Sequence, residues 1–380
     1  MSSFLCVVSV VLAQASAGLP SWQFASDAAR HAWVPNGGIA NVGVEGGALT
    51  CTTINDDPFF TCDGLSIAAV PYQCVLLRLR ADKPGSGELY WTGTEEGPYT
   101  GFHWEKTTRF TVQGTGQWET IVLFPFWQSE KSIRKLRLDL YDGARFAIES
   151  VAVVNWGDET TAARTVSEWT FDSDAAWRPV PESSTRMIPT ALATASKNWA
   201  VLRITSNREG TASLLWGLRE SRGTMTEDFP LRGDGQPHDY NLELRGNPAW
   251  KGTLTAIGVR LPEGDGTIQS LALANVPGGA AECAVEYFGP ESGVNRAGTP
   301  CRVALHLVNR GGAALDAVSM ALRAPDGWTY AHGSAAVQSP GRLGPGERKT
   351  VTWTVLPALP GEHVLKAVVT GGAAPLEQTA

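Results

Sequence analysis

The sequence predicts an all-β protein built as three sandwiches: two tandem jelly-roll domains followed by one immunoglobulin-like domain. Three observations carry that prediction. Glycine (41) and proline (23) punctuate the whole 380-residue chain. Short alternating apolar runs recur, and no stretch sustains a 3.6-residue apolar period. The third observation is an internal repeat. Trp22-Gln23-Phe24-Ala25-Ser26-Asp27-Ala28-Ala29 opens one copy, and Trp169-Thr170-Phe171-Asp172-Ser173-Asp174-Ala175-Ala176 opens another.

Taken in chain order, residues 4–13 form a short apolar run, followed by Ala15-Ser16-Ala17 at a cleavage-like position. Residues 1–17 therefore read as a secretory signal peptide, with a buried first strand as the other reading. The first jelly roll is expected over 18–157 and the second over 167–277. Their echo is long. Val75-Leu76-Leu77-Arg78 matches Val201-Leu202-Arg203-Ile204, and Glu88-Leu89-Tyr90-Trp91 matches Ser213-Leu214-Leu215-Trp216. Phe110 matches Phe229, Gly114-Thr115-Gly116-Gln117 matches Gly233-Asp234-Gly235-Gln236, and Trp127 matches Trp250. Ile133, Leu136, Leu138 and Leu140 then fall in step with Leu254, Ile257, Val259 and Leu261. The last three of each set alternate, as in a strand with one buried face. A copy of roughly 110–135 residues is a tandem domain rather than a solenoid turn, whose period is ~20–50 residues.

After Pro277-Gly278-Gly279 the texture changes. Alternation runs through 301–309, 317–323, 351–355 and 364–369, separated by turns at Pro325-Asp326-Gly327 and Gly344-Pro345-Gly346. Six or seven short strands in about 90 residues read as an immunoglobulin-like sandwich over 283–372.

Composition limits the function. A net charge of −7 without a basic run argues against nucleic acid and anionic membrane surfaces as partners. No later apolar segment approaches the ~20 residues of a membrane span. The leader instead points to a secreted or cell-surface protein. Cys51 and Cys62 flank the turn-like Asn55-Asp56-Asp57-Pro58, so a hairpin centred there sets them opposite each other and suits a disulfide. Cys283 with Cys301 is a second candidate pair, which leaves Cys74 odd; the other reading makes all five ordinary buried residues.

Catalytic patterns are missing from the sequence. The six histidines are scattered without zinc spacing, and there is no Gly-x-Ser-x-Gly elbow or phosphate loop. The acidic pairs Asp56-Asp57 and Glu95-Glu96 sit in turn-like stretches and read as solvated charge. Arg232-Gly233-Asp234, a tripeptide read by adhesion receptors, aligns with the Gly114–Gln117 turn and reads as a turn. Asp27, Asp56 and Asp57 have oxygens to offer a cation, but they match no known calcium-loop spacing.

The 14 tryptophans are the strongest chemical signal. Flat aromatic faces stack on pyranose rings, and polar neighbours orient the hydroxyls. Trp22/Trp169, Trp91/Trp216 and Trp127/Trp250 recur in both copies and read as framework. The unshared aromatics lie in the Gly/Pro-rich loop 93–105, which holds Tyr99, Phe102, His103, Trp104 and Glu105; the matching stretch 217–228 has no aromatic. This loop either binds a ligand, with Tyr99 and Trp104 as platforms and His103 or Glu105 as hydroxyl partners, or tucks into the core.

The last quarter carries a resemblance through Val308, Asn309, Gly311, Pro325, Gly327, Trp328, Leu343, Pro345, Gly346, Glu347, Val351, Trp353, Val355, Pro360 and Gly361. It resembles the NEW3 or CARDB-like immunoglobulin-like domains attached to bacterial α-galactosidases and other secreted glycosidases. Through the opening Trp-x-Phe, the mid-domain Leu-x-Trp and the Gly-x-Gly-x-Trp turn, the repeats resemble galactose-binding-like modules beside polysaccharide-degrading domains. Repeat two departs from that pattern, with Pro237 where repeat one has Trp118. The resemblance implies a non-catalytic, carbohydrate-binding partner of polysaccharide or glycan. It also implies a glycan-active enzyme following in the same chain or encoded nearby, and room for a structural calcium without any other cofactor. The competing expectation is a structural or adhesive spacer that binds no glycan.

Overall fold

Alternation decides which face each strand buries, and the strand Gln73–Ala81 shows it most clearly. Val75, Leu77, Leu79 and Ala81 point into one core, while Cys74 and Leu76 point out of the opposite face of the same sheet. A computed structural model of the chain describes all residues except 1–17, 26, 56, 158–166, 172–176, 181–182, 263–265, 294 and 373–374. The presumed leader, Asp56 and most of the linker between the repeats therefore lie outside the described residues.

Among the described residues the chain is nearly all β, and three pairs of sheets, with a small two-stranded sheet of Ile67–Ala68 and Ser132–Ile133, are built around three separate apolar cores. In the first pair, one sheet runs Glu119–Leu123, Gln73–Ala81, Arg145–Asn155, Ala48–Thr53, Ile39–Glu45, with Ser21–Gln23 also on Arg145–Asn155. The facing sheet runs Val34–Pro35, Phe59–Cys62, Lys135–Asp139, Gly85–Thr92, Thr107–Val112. The second pair repeats this order. One sheet runs Pro237–Glu243, Trp199–Thr205, Thr267–Ala274, Glu168–Thr170. The other runs Arg178–Pro179, Thr185–Pro189, Leu254–Arg260, Gly210–Leu218, Met225–Leu231. Among the described residues, the hairpin of Ile39–Glu45 with Ala48–Thr53 has no counterpart in the second copy.

Registers agree as well as strand order. Trp91 lies opposite Leu136, and Trp216 lies opposite Ile257. Trp91 meets Trp127 edge to face at 6.1 Å, and Trp216 meets Trp250 the same way at 5.2 Å. A second pair echoes across the copies: Trp22 with Trp33 at 5.3 Å, and Trp169 with Trp177 at 6.2 Å. These shared tryptophans are buried framework. One sequence match is a residue out. Leu77 and Leu202 hold the same place, opposite Val151 and Leu271, so Val75 corresponds to Ala200 and not to Val201. Gln73–Ala81 is apolar on both faces over its first half, so alternation cannot fix its register there.

The cysteine expectations are corrected. Ala48–Thr53 and Phe59–Cys62 do not form a hairpin; they belong to opposite sheets, and Cys51 and Cys62 are free thiols in the first core. Cys283 lies opposite Asn309, the far end of the strand that starts at Cys301. At about 3.4 Å per residue that separation is far beyond disulfide reach.

The third pair of sheets packs Cys283–Pro290, Cys301–Asn309, Arg348–Leu356 and Thr329–Tyr330 against Val337–Leu343, Leu315–Arg323, Lys366–Thr370 and Leu376–Thr379. The last strand carries the sheet beyond residue 372. Asn309 is fully buried and explains its motif: its amide donates to the carbonyls of Ala313 and Leu343 and accepts from the amides of Glu282 and Gly311. It thereby ties the turn after its own strand to the strand entry at 282.

The first two sandwiches dock on each other. Cys74, Leu76, Phe124, Phe126 and Trp156 form one buried cluster with Val180, Met187, Leu215 and Ala256. The odd cysteine of the sequence is therefore a packing residue of this junction. Between the second and third sandwiches, Asn241 exchanges two hydrogen bonds with Gly278, and Arg348 bridges Glu243 and Glu286.

Candidate functional site

Loop 93–106 connects Gly85–Thr92 to Thr107–Val112 at one end of the first sandwich. Its composition forces it outward: Gly97, Pro98 and Gly101 break both strand and helix, and no alternation offers an inward face. One residue anchors it, Phe102, which is 7% exposed. Around that plug the side chains point to solvent.

Tyr99 is 82% exposed and Trp104 71% exposed. Of the 14 tryptophans, Trp104 is the one that stands exposed. His103 lies beside it, ring centroids 5.5 Å apart and 36° between planes. The Glu105 carboxylate is 3.6 Å from His103 Nδ1, which also accepts from the Glu105 amide at 3.3 Å. The structure thus brings His103, Trp104 and Glu105 together and leaves Tyr99 exposed on the preceding turn. An aromatic platform flanked by an imidazole and a carboxylate can stack on a ring and hydrogen-bond its hydroxyls.

The backbone holds this display under strain. Tyr99 and Thr100 both adopt left-handed conformations, at φ 53° and 54°. For residues carrying a Cβ this costs about 1–2 kcal/mol each. The base of the loop offsets that cost with hydrogen bonds. The Thr92 hydroxyl donates to the Thr94 carbonyl and accepts its amide, both at 3.1 Å, and the Lys106 amide donates to the His103 carbonyl at 2.8 Å.

Beneath the loop sits Glu130, which sequence reasoning missed. Its side chain is 8% exposed. One oxygen accepts from Lys106 Nζ at 2.9 Å and from the Gly93 amide at 3.2 Å; the other lies 3.1 Å from Arg222 Nε of the second sandwich. No sequence signal marks Glu130, because its partners lie 24, 37 and 92 residues away in a chain of ordinary surface charges.

The remaining candidates fall elsewhere. The Asp57 carboxylate is taken by Arg137 at 2.8 Å. Asp234 accepts from the Gln236 amide and from His238, which hold its carboxyl below the usual carboxylate range, so the Arg-Gly-Asp tripeptide is a satisfied turn. Glu95 and Glu96 are exposed. Among the described residues, no group of three or more His, Cys, Asp or Glu side chains gathers as a metal site, and no helix is long and apolar enough to cross a membrane. The third sandwich has a hollow of about 520 Å³ where Trp328, Leu359, His363 and Leu365 meet, which sequence reading also missed.

Residues 295–371 match the family described as NPCBM-associated, the NEW3 domain of alpha-galactosidase. No curated protein matches the chain. Among solved structures, the chain is similar to apo BiXyn10A CBM1, at 11% identity and a TM-score of 0.23, covering 36% of this chain and 96% of that one. It is similar to the glycoside hydrolase domain of Endo-D from Streptococcus pneumoniae R6, at 8% identity and a TM-score of 0.25, covering 84% of this chain. It is also similar to the Parabacteroides merdae beta-glucuronidase, at 10% identity and a TM-score of 0.21, covering 52% of this chain. The chain spans 37% and 28% of the length of these last two structures.

Proposed function

We propose that this chain is an extracellular, non-catalytic carbohydrate-recognition protein, acting beside a glycan-active enzyme carried in the same polypeptide or encoded nearby. The two repeats are jelly-roll modules in this reading, and the NEW3-type sandwich is the accessory domain that accompanies glycosidases. The observation that carries the reading is Trp104. A largely exposed indole on a strained loop has little packing to repay it, and stacking on a pyranose ring supplies a role. Tyr99 provides a second aromatic surface, and His103 and Glu105 meet the hydroxyls. The family match at 295–371 supports the glycosidase association.

A glycan array probed with the secreted chain tests the reading. Recognition predicts signal on a related set of polysaccharides or oligosaccharides. A structural or adhesive spacer binds none of them, and an empty array on correctly folded protein sinks the proposal.

A further inference from the structure

The loops that follow the next-to-last strands of the two five-stranded sheets, Gly85–Thr92 and Gly210–Leu218, differ in a way that connects them. In the first sandwich this is loop 93–106; in the second it is loop 219–224, between Gly210–Leu218 and Met225–Leu231. Loop 219–224 reaches across the junction and lies against the first sandwich. The Gly223 amide donates to the Pro125 carbonyl at 2.7 Å, and the Thr224 hydroxyl donates to the Phe124 carbonyl. Gly223 has φ +77°, and a Cβ there meets the Thr107 carbonyl oxygen at 2.8 Å, so the two backbones touch where the aromatic loop rejoins its sheet. Arg222 donates to Ser129 Oγ at 3.0 Å and pairs with Glu130 at 3.1 Å.

Glu130 is the hub of this contact. The same carboxylate holds both ends of the aromatic loop, the Gly93 amide at its start and the Lys106 ammonium at its finish. A nearly buried carboxylate needs paired donors to offset its lost hydration. Lys106 supplies one from the first sandwich and Arg222 the other from the second. Two left-handed residues between those ends give the loop a reason to relax if its base loosens.

We infer that the second sandwich serves as a brace for the first: Arg222, acting through Glu130, positions the loop that displays Tyr99 and Trp104. Arg222 is a positioning residue and does not itself touch the ligand. The second copy has therefore exchanged an aromatic display for a supporting role. The effect on affinity rests on the glycan-recognition reading; the effect on the loop does not.

The test uses the full chain and measures amide hydrogen exchange by residue in wild type, Arg222→Ala, Arg222→Lys and the control Arg203→Ala. Arg203 pairs with Asp239 on the other sheet of the second sandwich. Losing one ion pair to a nearly buried carboxylate, together with the bond to Ser129, predicts about tenfold faster exchange at amides 93–106 in Arg222→Ala. Arg222→Lys restores part of the protection, Arg203→Ala changes nothing there, and amides 73–81 in the core keep their wild-type rates in all variants. Unchanged exchange at 93–106 in Arg222→Ala overturns the inference, as does an equal rise across 73–81, which marks a general opening of the junction. On a glycan found by array, Arg222→Ala also weakens binding about tenfold. If wild type binds no glycan, the recognition reading fails while the exchange result still decides the brace.

Discussion

Loops 93–106 and 219–224 leave equivalent strands in two copies of one fold, yet one stands in solvent and the other lies against its neighbour. The first exposes Tyr99 on a left-handed turn and Trp104 just after it; the second has no aromatic and fits a glycine against a foreign backbone. The framework beneath them is common: the same strand order, the same crossed pairs Trp91–Trp127 and Trp216–Trp250, the same alternating wall. The two copies share what holds the sandwich together and differ at the loop ends. Function is therefore to be sought where the copies differ.

The largest expected effect lies in the shared framework. Trp216 is fully buried against Trp250, with its indole N–H donating to the Ala249 carbonyl at 3.1 Å. Trp216→Ala leaves a cavity and an unpaired carbonyl, and should cost about 3–5 kcal/mol. Denaturant unfolding measures it, and a cost under about 1 kcal/mol removes Trp216 from the framework class.

The junction comes next. A Cβ on Gly217 meets the Phe126 ring at 2.5 Å, inside a strand whose neighbours are buried. Gly217→Val should destabilise the docked pair by about 1–3 kcal/mol through overpacking. Calorimetry should then show the two sandwiches unfolding less cooperatively than in wild type. A variant that melts as wild type does would mean that the copies are not held by this contact.

A smaller effect separates buried thiols from bonded ones. Burial pushes the Cys51 and Cys62 thiols from 9.0 up to about 12, with Asp63 adding to the shift at Cys62. A raised folded-state value means the folded form keeps the proton that the unfolded form releases. That contribution to stability is complete below pH 9 and is lost as the pH rises towards 12. The melting temperature of wild type should therefore fall between pH 8 and pH 10.5 more than that of Cys51→Val. Identical pH profiles would show that the Cys51 thiol does not ionise on unfolding.

The fold was largely legible because it rests on local patterns. The alternation at Leu136, Leu138 and Leu140 and its echo at Ile257, Val259 and Leu261 gave both the strand type and the repeat, and Leu136 and Ile257 indeed stand opposite the matched tryptophans. Legibility failed where a strand has two covered faces. Cys74 and Leu76 made Gln73–Ala81 look like a uniform apolar run, which hid both the junction and the one-residue register. The hairpin expected between Cys51 and Cys62 failed because a turn-like segment also serves to cross from one sheet to the other. In the loop, composition pointed to an outward-facing segment, and the structure exposes Tyr99, His103, Trp104 and Glu105 there. Glu130 and Arg222 were invisible because their meaning comes only from three-dimensional neighbours.

The central claim is that Trp104 binds and does not pack. On a glycan identified by array, calorimetric titration of Trp104→Ala against wild type tests it directly. Losing a stacked aromatic worth about 2 kcal/mol predicts at least a ~30-fold weaker Kd. The melting temperature should stay within about 1 °C of wild type, because the side chain is 71% exposed and touches little of the core. A variant that keeps wild-type affinity while losing several degrees of stability would contradict the account: the loop would then be packing, and the hollow at Trp328 would become the place to look.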